Sequence, residues 1–325
     1  MNLLRFFILY AVFGLASHAD DYRFGEGFSI ADSSLVVGGY FSSEYLIQNG
    51  SRTFDVDDVA VMAYGEIDRF AYLIELEASD FYLKETGNRT DEQSNRSFHI
   101  ERMYGDYFFD GDERLRIGKF NSDIGFWNQM PINVLRDTTS SPVLEKEYFP
   151  NLTTGIHYES RRIDGDVKRV SITVQNNRDL DSDYNNFDID RHYAAALDVG
   201  DDDALWRFSG GYFRYVTGRE AVFATASFRM NIDDVTLLAE TLVRHDEPVG
   251  TTYDGYIQGV WHAWPKHDFI LRTEHGKSPV AHVTDSSVTV GYTYRPLNNI
   301  ALKGEYEAHE EDGLNHWLFS LSAMF

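Results

Sequence analysis

From about residue 34 to the last residue, the chain alternates apolar and polar side chains with a period of two. Successive side chains of a β-strand point to opposite faces, whereas a helix repeats near 3.6. Val170, Ile172 and Val174 thus oppose Arg169, Ser171, Thr173 and Gln175. Val222, Ala224, Ala226, Phe228 and Met230 oppose Phe223, Thr225, Ser227 and Arg229. Tyr72, Ile74 and Leu76 oppose Leu73, Glu75 and Glu77, and Ile300, Leu302, Gly304 and Tyr306 oppose Lys303, Glu305 and Glu307. About sixteen such segments can be drawn, at 34–46, 55–66, 70–84, 98–109, 113–120, 153–161, 166–175, 191–199, 204–215, 221–231, 234–244, 253–264, 268–275, 287–295, 299–308 and 316–325. The expected fold is all-β.

The connections alternate in length. Asp68, Asp110-Gly111-Asp112, 162–165, Gly200–Asp203, Ile232-Asp233, Pro265–His267 and Pro296–Asn298 mark tight turns. Between them lie mostly longer polar stretches, such as 85–97, 176–190 and 276–286. Short turns on one rim and longer loops on the other are how transmembrane barrels are built. A soluble sandwich alternates too, but it does not sort its loops by length. About sixteen consecutive strands also exceed what one open sheet carries. Aromatic residues gather near segment ends, as membrane interfaces favour: Tyr104, Tyr107, Phe108 and Phe109, then Trp206 and Phe208, then Tyr292 and Tyr294. Hydrocarbon offers backbone groups no hydrogen-bond partner, so a sheet facing lipid has to close on itself. The reading is an antiparallel transmembrane β-barrel.

Composition removes the competing classes. Mean hydropathy is −0.38, too polar for several membrane-crossing helices. With 29 Lys+Arg against 52 Asp+Glu the net charge is −23, which argues against nucleic acid as a partner. There is no Cys, so disulfides, thiolate catalysis and Cys-ligated metals are excluded. At the start, Arg5 precedes an apolar run over 6–16 and then Ser17-His18-Ala19, the three-part pattern of an export signal. Residues 1–19 are therefore expected to be removed, leaving 20–325 as the barrel.

The chain stops inside a strand, with Trp317, Phe319, Leu321, Ala323 and Phe325 on one face. This ending resembles the carboxy-terminal assembly signal of Gram-negative outer-membrane barrels. With the export signal and the strand count, the whole chain resembles the general porin family. The resemblance implies an outer-membrane location, delivery by the barrel assembly machinery, and a homotrimer in lipid and lipopolysaccharide. It also implies a water-filled channel for passive diffusion of small hydrophilic solutes and ions, with no cofactor.

The longest connection is 121–152, 32 residues between the fifth and sixth segments. Ile124, Phe126, Trp127, Met130, Ile132, Val134 and Leu135 are too apolar for an exposed tip, and Pro131, Pro142 and Pro150 stiffen it. Porins of that family fold their third external loop into the lumen, and the position and length here match. The alternative is packing on the rim or against a neighbouring subunit. The loop carries Asp123, Asp137, Glu145 and Glu147 against Arg136 and Lys146. The water-facing wall carries Arg102, Arg116, Arg169, Arg207, Arg229, Arg244, Arg272 and Lys303 among acids that include Glu75, Glu77, Asp106, Glu159, Asp198, Glu240, Glu274, Glu305 and Glu307. The expectation is that the four loop acids face Arg102 and Arg116 across a constriction, setting up a transverse field.

Other readings stay open. An outer-membrane barrel enzyme, a phospholipase or a protease, needs a His with a nucleophile or paired acids at the rim. A structural or adhesive barrel would have a plugged lumen. His309, Glu310, Glu311, Asp312 and His316 could hold a divalent ion bridging to lipopolysaccharide, but a solvated acidic tip is the simpler reading, and their spacing fits no zinc or EF-hand motif. No metal site is assigned.

Overall fold

The computed structural model describes residues 22–325, apart from 24–26, 31–32, 88–90, 94–96, 110–111, 162–165, 248 and 312. The export signal at 1–19, the turn at 162–165, most of the Asp110–Asp112 turn and Asp312 lie outside the described residues.

One antiparallel sheet contains sixteen long strands. They are β1 (Val36–Gln48), β2 (Ser51–Ile67), β3 (Phe70–Thr86), β4 (Ser97–Phe108), β5 (Glu113–Asn121), β6 (Leu152–Ser160), β7 (Val167–Gln175) and β8 (Ile189–Gly200). Then follow β9 (Ala204–Tyr215), β10 (Glu220–Ile232), β11 (Val235–Asp246), β12 (Gly250–Trp264), β13 (His267–Lys277), β14 (Thr284–Leu297), β15 (Ile300–His309) and β16 (His316–Met324). Each pairs with the next, and β16 pairs with β1 from His316↔Gln48 to Met324↔Tyr40. The sheet is therefore closed. Tyr22–Arg23 and Gly27–Ser29 form a small extra ribbon against the start of β1.

The apolar face looks outward. Leu76, Ile117, Ile257, Leu271 and Val290 are exposed, while their strand neighbours Glu75, Glu77, Gln258, Arg272 and Thr289 are buried. A sandwich would bury the first set, so the exposed one is the lipid-facing surface of a membrane barrel. Aromatic rings collect toward the two ends. Trp206 lies 4.4 Å from Phe228, Trp264 and Phe269 are 6.1 Å apart, and Tyr306 meets Trp317 at 4.8 Å. Tyr104 is a correction to the girdle expected from sequence, because it points inward, with the Arg116 guanidinium 3.7 Å above its ring. The phase changes nearby because the β3–β4 register shifts between Glu75 and Leu76, turning both Glu101 and Arg102 inward.

Loop lengths also differ from the simple alternation. β1 and β2 run on to a two-residue Asn49-Gly50 turn with φ of 51° and 80°. Both residues adopt the left-handed geometry that Asn-Gly supplies cheaply. Residues 216–219 form another short connection on the same rim. The extra chain is concentrated in 122–151 and 176–188.

Candidate functional site

Residues 122–151 run along the inner wall. The apolar side chains among them are the reason. Ile124, Phe126, Trp127, Leu144, Tyr148 and Phe149 pack with Phe213, Phe223, Leu242 and Tyr256, inward residues of β9–β12. Ile132 and Val134 pack with Tyr40, Met62 and Ala301 on β1, β2 and β15. Trp127 has no exposed surface and meets Tyr256 edge-on at 6.2 Å. Burying such side chains contributes about 1.5–3 kcal/mol each. The sequence reading of the wall counted only polar residues. Phe213, Phe223 and Tyr256 were legible as inward by phase but unexplained without the loop that covers them.

The wall's charged side chains clamp the loop backbone. Glu240 accepts from the Phe126 and Trp127 amides, both at 2.9 Å, and from Ser227 Oγ and Tyr256 Oη, both at 2.6 Å. Gly125 makes this approach possible: its φ is +64°, and a Cβ there would sit 2.3 Å from Glu240 Oε2. Glu305 accepts from the Thr139 amide and from Ser140 Oγ (2.5 Å), and Glu274 from the Val143 amide at 2.6 Å. Bases take the carbonyls. Arg207 donates to Gly125 O (2.7 Å), Arg272 to Ser140 O (2.8 Å), Arg244 to Glu147 O (2.8 Å) and Lys303 to Asn133 O (2.5 Å) and Oδ1 (2.6 Å). An irregular segment at membrane depth needs its peptide groups satisfied, and the barrel wall does this with side chains.

The pairing expected across a constriction is not the one found. Arg102 meets Glu75, its neighbour on β3, and Arg116 meets Asp106 on β4 with two bonds of 2.7 Å. The loop acids find other partners, on separate strands and within the loop itself. Asp123 takes a two-pronged contact from Arg169 (2.7 and 2.9 Å), with Arg207 at 3.5 Å and Ser171 Oγ at 2.5 Å. Burial alone would raise its carboxyl, but Arg207 and Arg169 outweigh that and hold it well below the usual carboxylate range. Asp137 lies 3.7 Å from Arg295. Glu145 accepts from Asn151 Nδ2 (2.9 Å) and Glu147 from Ser278 Oγ (2.6 Å). In-register acids and bases on adjacent strands neutralise one another at short range, which is why Arg102 and Arg116 are taken. Arg229, alone among the expected wall residues, is exposed, 5.6 Å from the Phe126 ring.

A second segment, 176–188, reaches the interior where β4 and β5 part. Their pairing stops at Met103↔Lys119. In the gap above it, Asp181 accepts from the Ile100 amide at 2.9 Å, in place of a neighbouring strand. Lys119, with no exposed surface, lies 3.1 Å from Asp179 and donates to Asp181 O at 2.8 Å. Tyr184 reaches Glu77 at 2.6 Å. No sequence pattern pointed to this strap.

At the rim, His309 lies between Asp285 (2.6 Å) and Glu307 (3.1 Å), and His316 is 3.8 Å from Glu307. Among the described residues no group of His, Asp or Glu is arranged to hold a metal.

No protein-family model matches the chain, and no curated protein matches it. Solved structures do. OmpF of Salmonella typhi, in complex with daunomycin, superposes with a TM-score of 0.66 at 9% identity, covering 90% of this chain and 97% of that one. The anion-selective porin of Comamonas acidovorans gives 0.64 at 9% identity, covering 90% and 99%. The trimer form of OmpT, an outer-membrane protein of Vibrio cholerae, gives 0.61 at 9%, covering 90% and 99%. The chain has the sixteen-stranded fold of the outer-membrane porins.

Proposed function

We propose that this barrel is an outer-membrane channel for passive diffusion of small hydrophilic solutes and ions. The observation that carries the reading is the clamping of residues 122–151 to the inner faces of β7 to β16 by wall side chains of both signs. Sixteen strands make a barrel too wide for its wall side chains to fill. A loop fastened along that wall narrows the passage. Ile132, Val134 and Asn133 also seat the loop on β1 and β2, so the passage that remains lies toward β3–β5, where Arg102 and Arg116 sit. Asp123, Glu145 and Glu147 anchor the loop instead of lining the stream.

The porin fold supports an outer-membrane location and, through the trimeric OmpT form, a homotrimer. Trp317, Phe319 and Leu321 point to the outside of the last strand, where the assembly machinery and lipid would meet them. No chemical step is assigned to any residue.

Liposome swelling tests the reading. Vesicles containing the purified barrel should swell in isotonic small sugars at rates that fall with sugar size. Rates no faster than those of protein-free vesicles would identify a plugged barrel.

A further inference from the structure

We propose that the slot between β4 and β5 is a binding site, open to the lipid face, for a single-chain amphiphile with a carboxylate head. Residues 176–188 fill it as a displaceable internal ligand. The proposal goes beyond the channel reading and does not depend on it.

The slot is a break in the barrel wall. Above Met103↔Lys119 the two strands no longer pair with each other, while β4 still pairs with β3, and β5 with β6 as far as Asn121↔Leu152. The 176–188 segment passes through this break. Leu180 is exposed, whereas Tyr184 stacks on His99 at 5.2 Å and donates to the lumen-facing Glu77 at 2.6 Å. Among the described residues no backbone–backbone hydrogen bond ties the segment to β4 or β5. Side chains hold it there.

Lys119 makes the slot a site. Its register pair with Thr154 lies two steps above Ile117↔Ile156, and both isoleucines are exposed to lipid. By alternation Lys119 and Thr154 belong to that same outer side. A charged side chain on a lipid-facing position is costly and by default functional. Lys119 is nevertheless fully covered, by the acids of the strap. Asp179 Oδ1 lies 3.1 Å from Lys119 Nζ and accepts from Thr154 Oγ1 at 3.1 Å, and Nζ donates to Asp181 O at 2.8 Å. Asp181 Oδ2 accepts from the Ile100 amide at 2.9 Å, with His99 Nδ1 at 3.4 Å. Three strands thus offer an ammonium, a hydroxyl and a strand-edge amide to carboxylates. A carboxylate arriving from the membrane meets the same donors once the strap withdraws, and its alkyl chain stays on the apolar outer face. A cationic head meets like charge at Lys119, and an alcohol brings no charge to it.

The test uses the processed barrel in phosphatidylcholine nanodiscs, with laurate as the probe at a pH where it is ionised. Because the chain has no Cys, Leu180→Cys can carry a polarity-sensitive fluorophore. Laurate should give a saturable change, at least about tenfold tighter than dodecanol, and dodecyltrimethylammonium should give none. Lys119→Met should abolish the preference for laurate over dodecanol. Asp179→Asn, which removes the competing charge, should tighten laurate. Both substitutions loosen the strap, so a merely structural Lys119 would not move the two affinities in opposite directions. Protease cleavage within 176–188 of the unlabelled parent gives a second measurement: laurate should accelerate it and dodecanol should not. Equal responses to laurate and dodecanol in the parent, a Lys119→Met variant that keeps the preference, or an Asp179→Asn variant that binds laurate no tighter would overturn the proposal. None of these outcomes touches the channel reading.

Discussion

Phe325 and Gly39 exchange two backbone hydrogen bonds, both 2.8 Å, at the seam where the chain's end meets its first long strand. Gly39 leaves room for this contact: a Cβ there would lie 2.3 Å from Ala60 O and 2.9 Å from the Phe325 ring. The last residue thus completes the ladder that closes the barrel, and closure is what lipid demands of a sheet.

Gly39→Val should impair that closure. Overpacking typically costs about 1–3 kcal/mol, and here the obstacle includes backbone, which cannot swing aside. The fraction of heat-modifiable, fast-migrating barrel on unheated gels should fall sharply, and deletion of Phe325 should act in the same direction. Parent-like folding of both variants would contradict the role given to the seam.

Glu240→Ala should free the loop while sparing the barrel. It strands the buried amides of Phe126 and Trp127, at about 1–3 kcal/mol for each unsatisfied group. Single-channel conductance should rise and become noisier, with unchanged gel migration. Conductance identical to the parent's would mean that the loop does not narrow the passage.

Acid should release the Asp123 anchor late. The Asp123 carboxyl is depressed in the folded protein, so its stabilisation is complete above the unfolded value of about 4 and fades as pH falls toward the folded one. Asp137 behaves oppositely, because burial lifts its carboxyl. Conductance noise in the parent should stay flat down to about pH 4 and grow below it. Asp123→Asn should be noisy throughout and lack that acid limb. Superimposable profiles for the two would refute the anchor.

Lys119→Met should loosen the 176–188 strap. It leaves Asp179, which has a fully covered side chain, without its base. Removing one partner of a buried ion pair costs about 3–5 kcal/mol. Limited proteolysis of the folded variant should cut within 176–188, where the parent resists. Equal resistance would mean that the strap is held by its other contacts, Ile100 and Tyr184.

The alternation that exposes Leu76 and buries Glu75 is a local property, so period two placed most strands and faces, less cleanly at 34–46, 113–120 and 253–264, where glycines or phase slips break it. It failed where the register slips: the extra inward residue at Glu101 and Arg102 turned Tyr104 from a girdle residue into a ring beneath Arg116. Asn49-Gly50 carried a usable turn signal, but the flanking strands lack clean alternation there. The apolar content of 121–152 announced a covered segment. Its partners were not legible, because Asp123 meets Arg169 and Glu240 meets the Phe126 amide only through closure of the whole sheet. Charge counts gave the loop its net sign but not the direction in which each charge points.

Conductance of the purified barrel in a planar bilayer tests the central claim most directly. Discrete, steady steps that scale with salt concentration, and that enlarge in Glu240→Ala, are the predicted result. A correctly folded barrel that inserts and passes no current would contradict it.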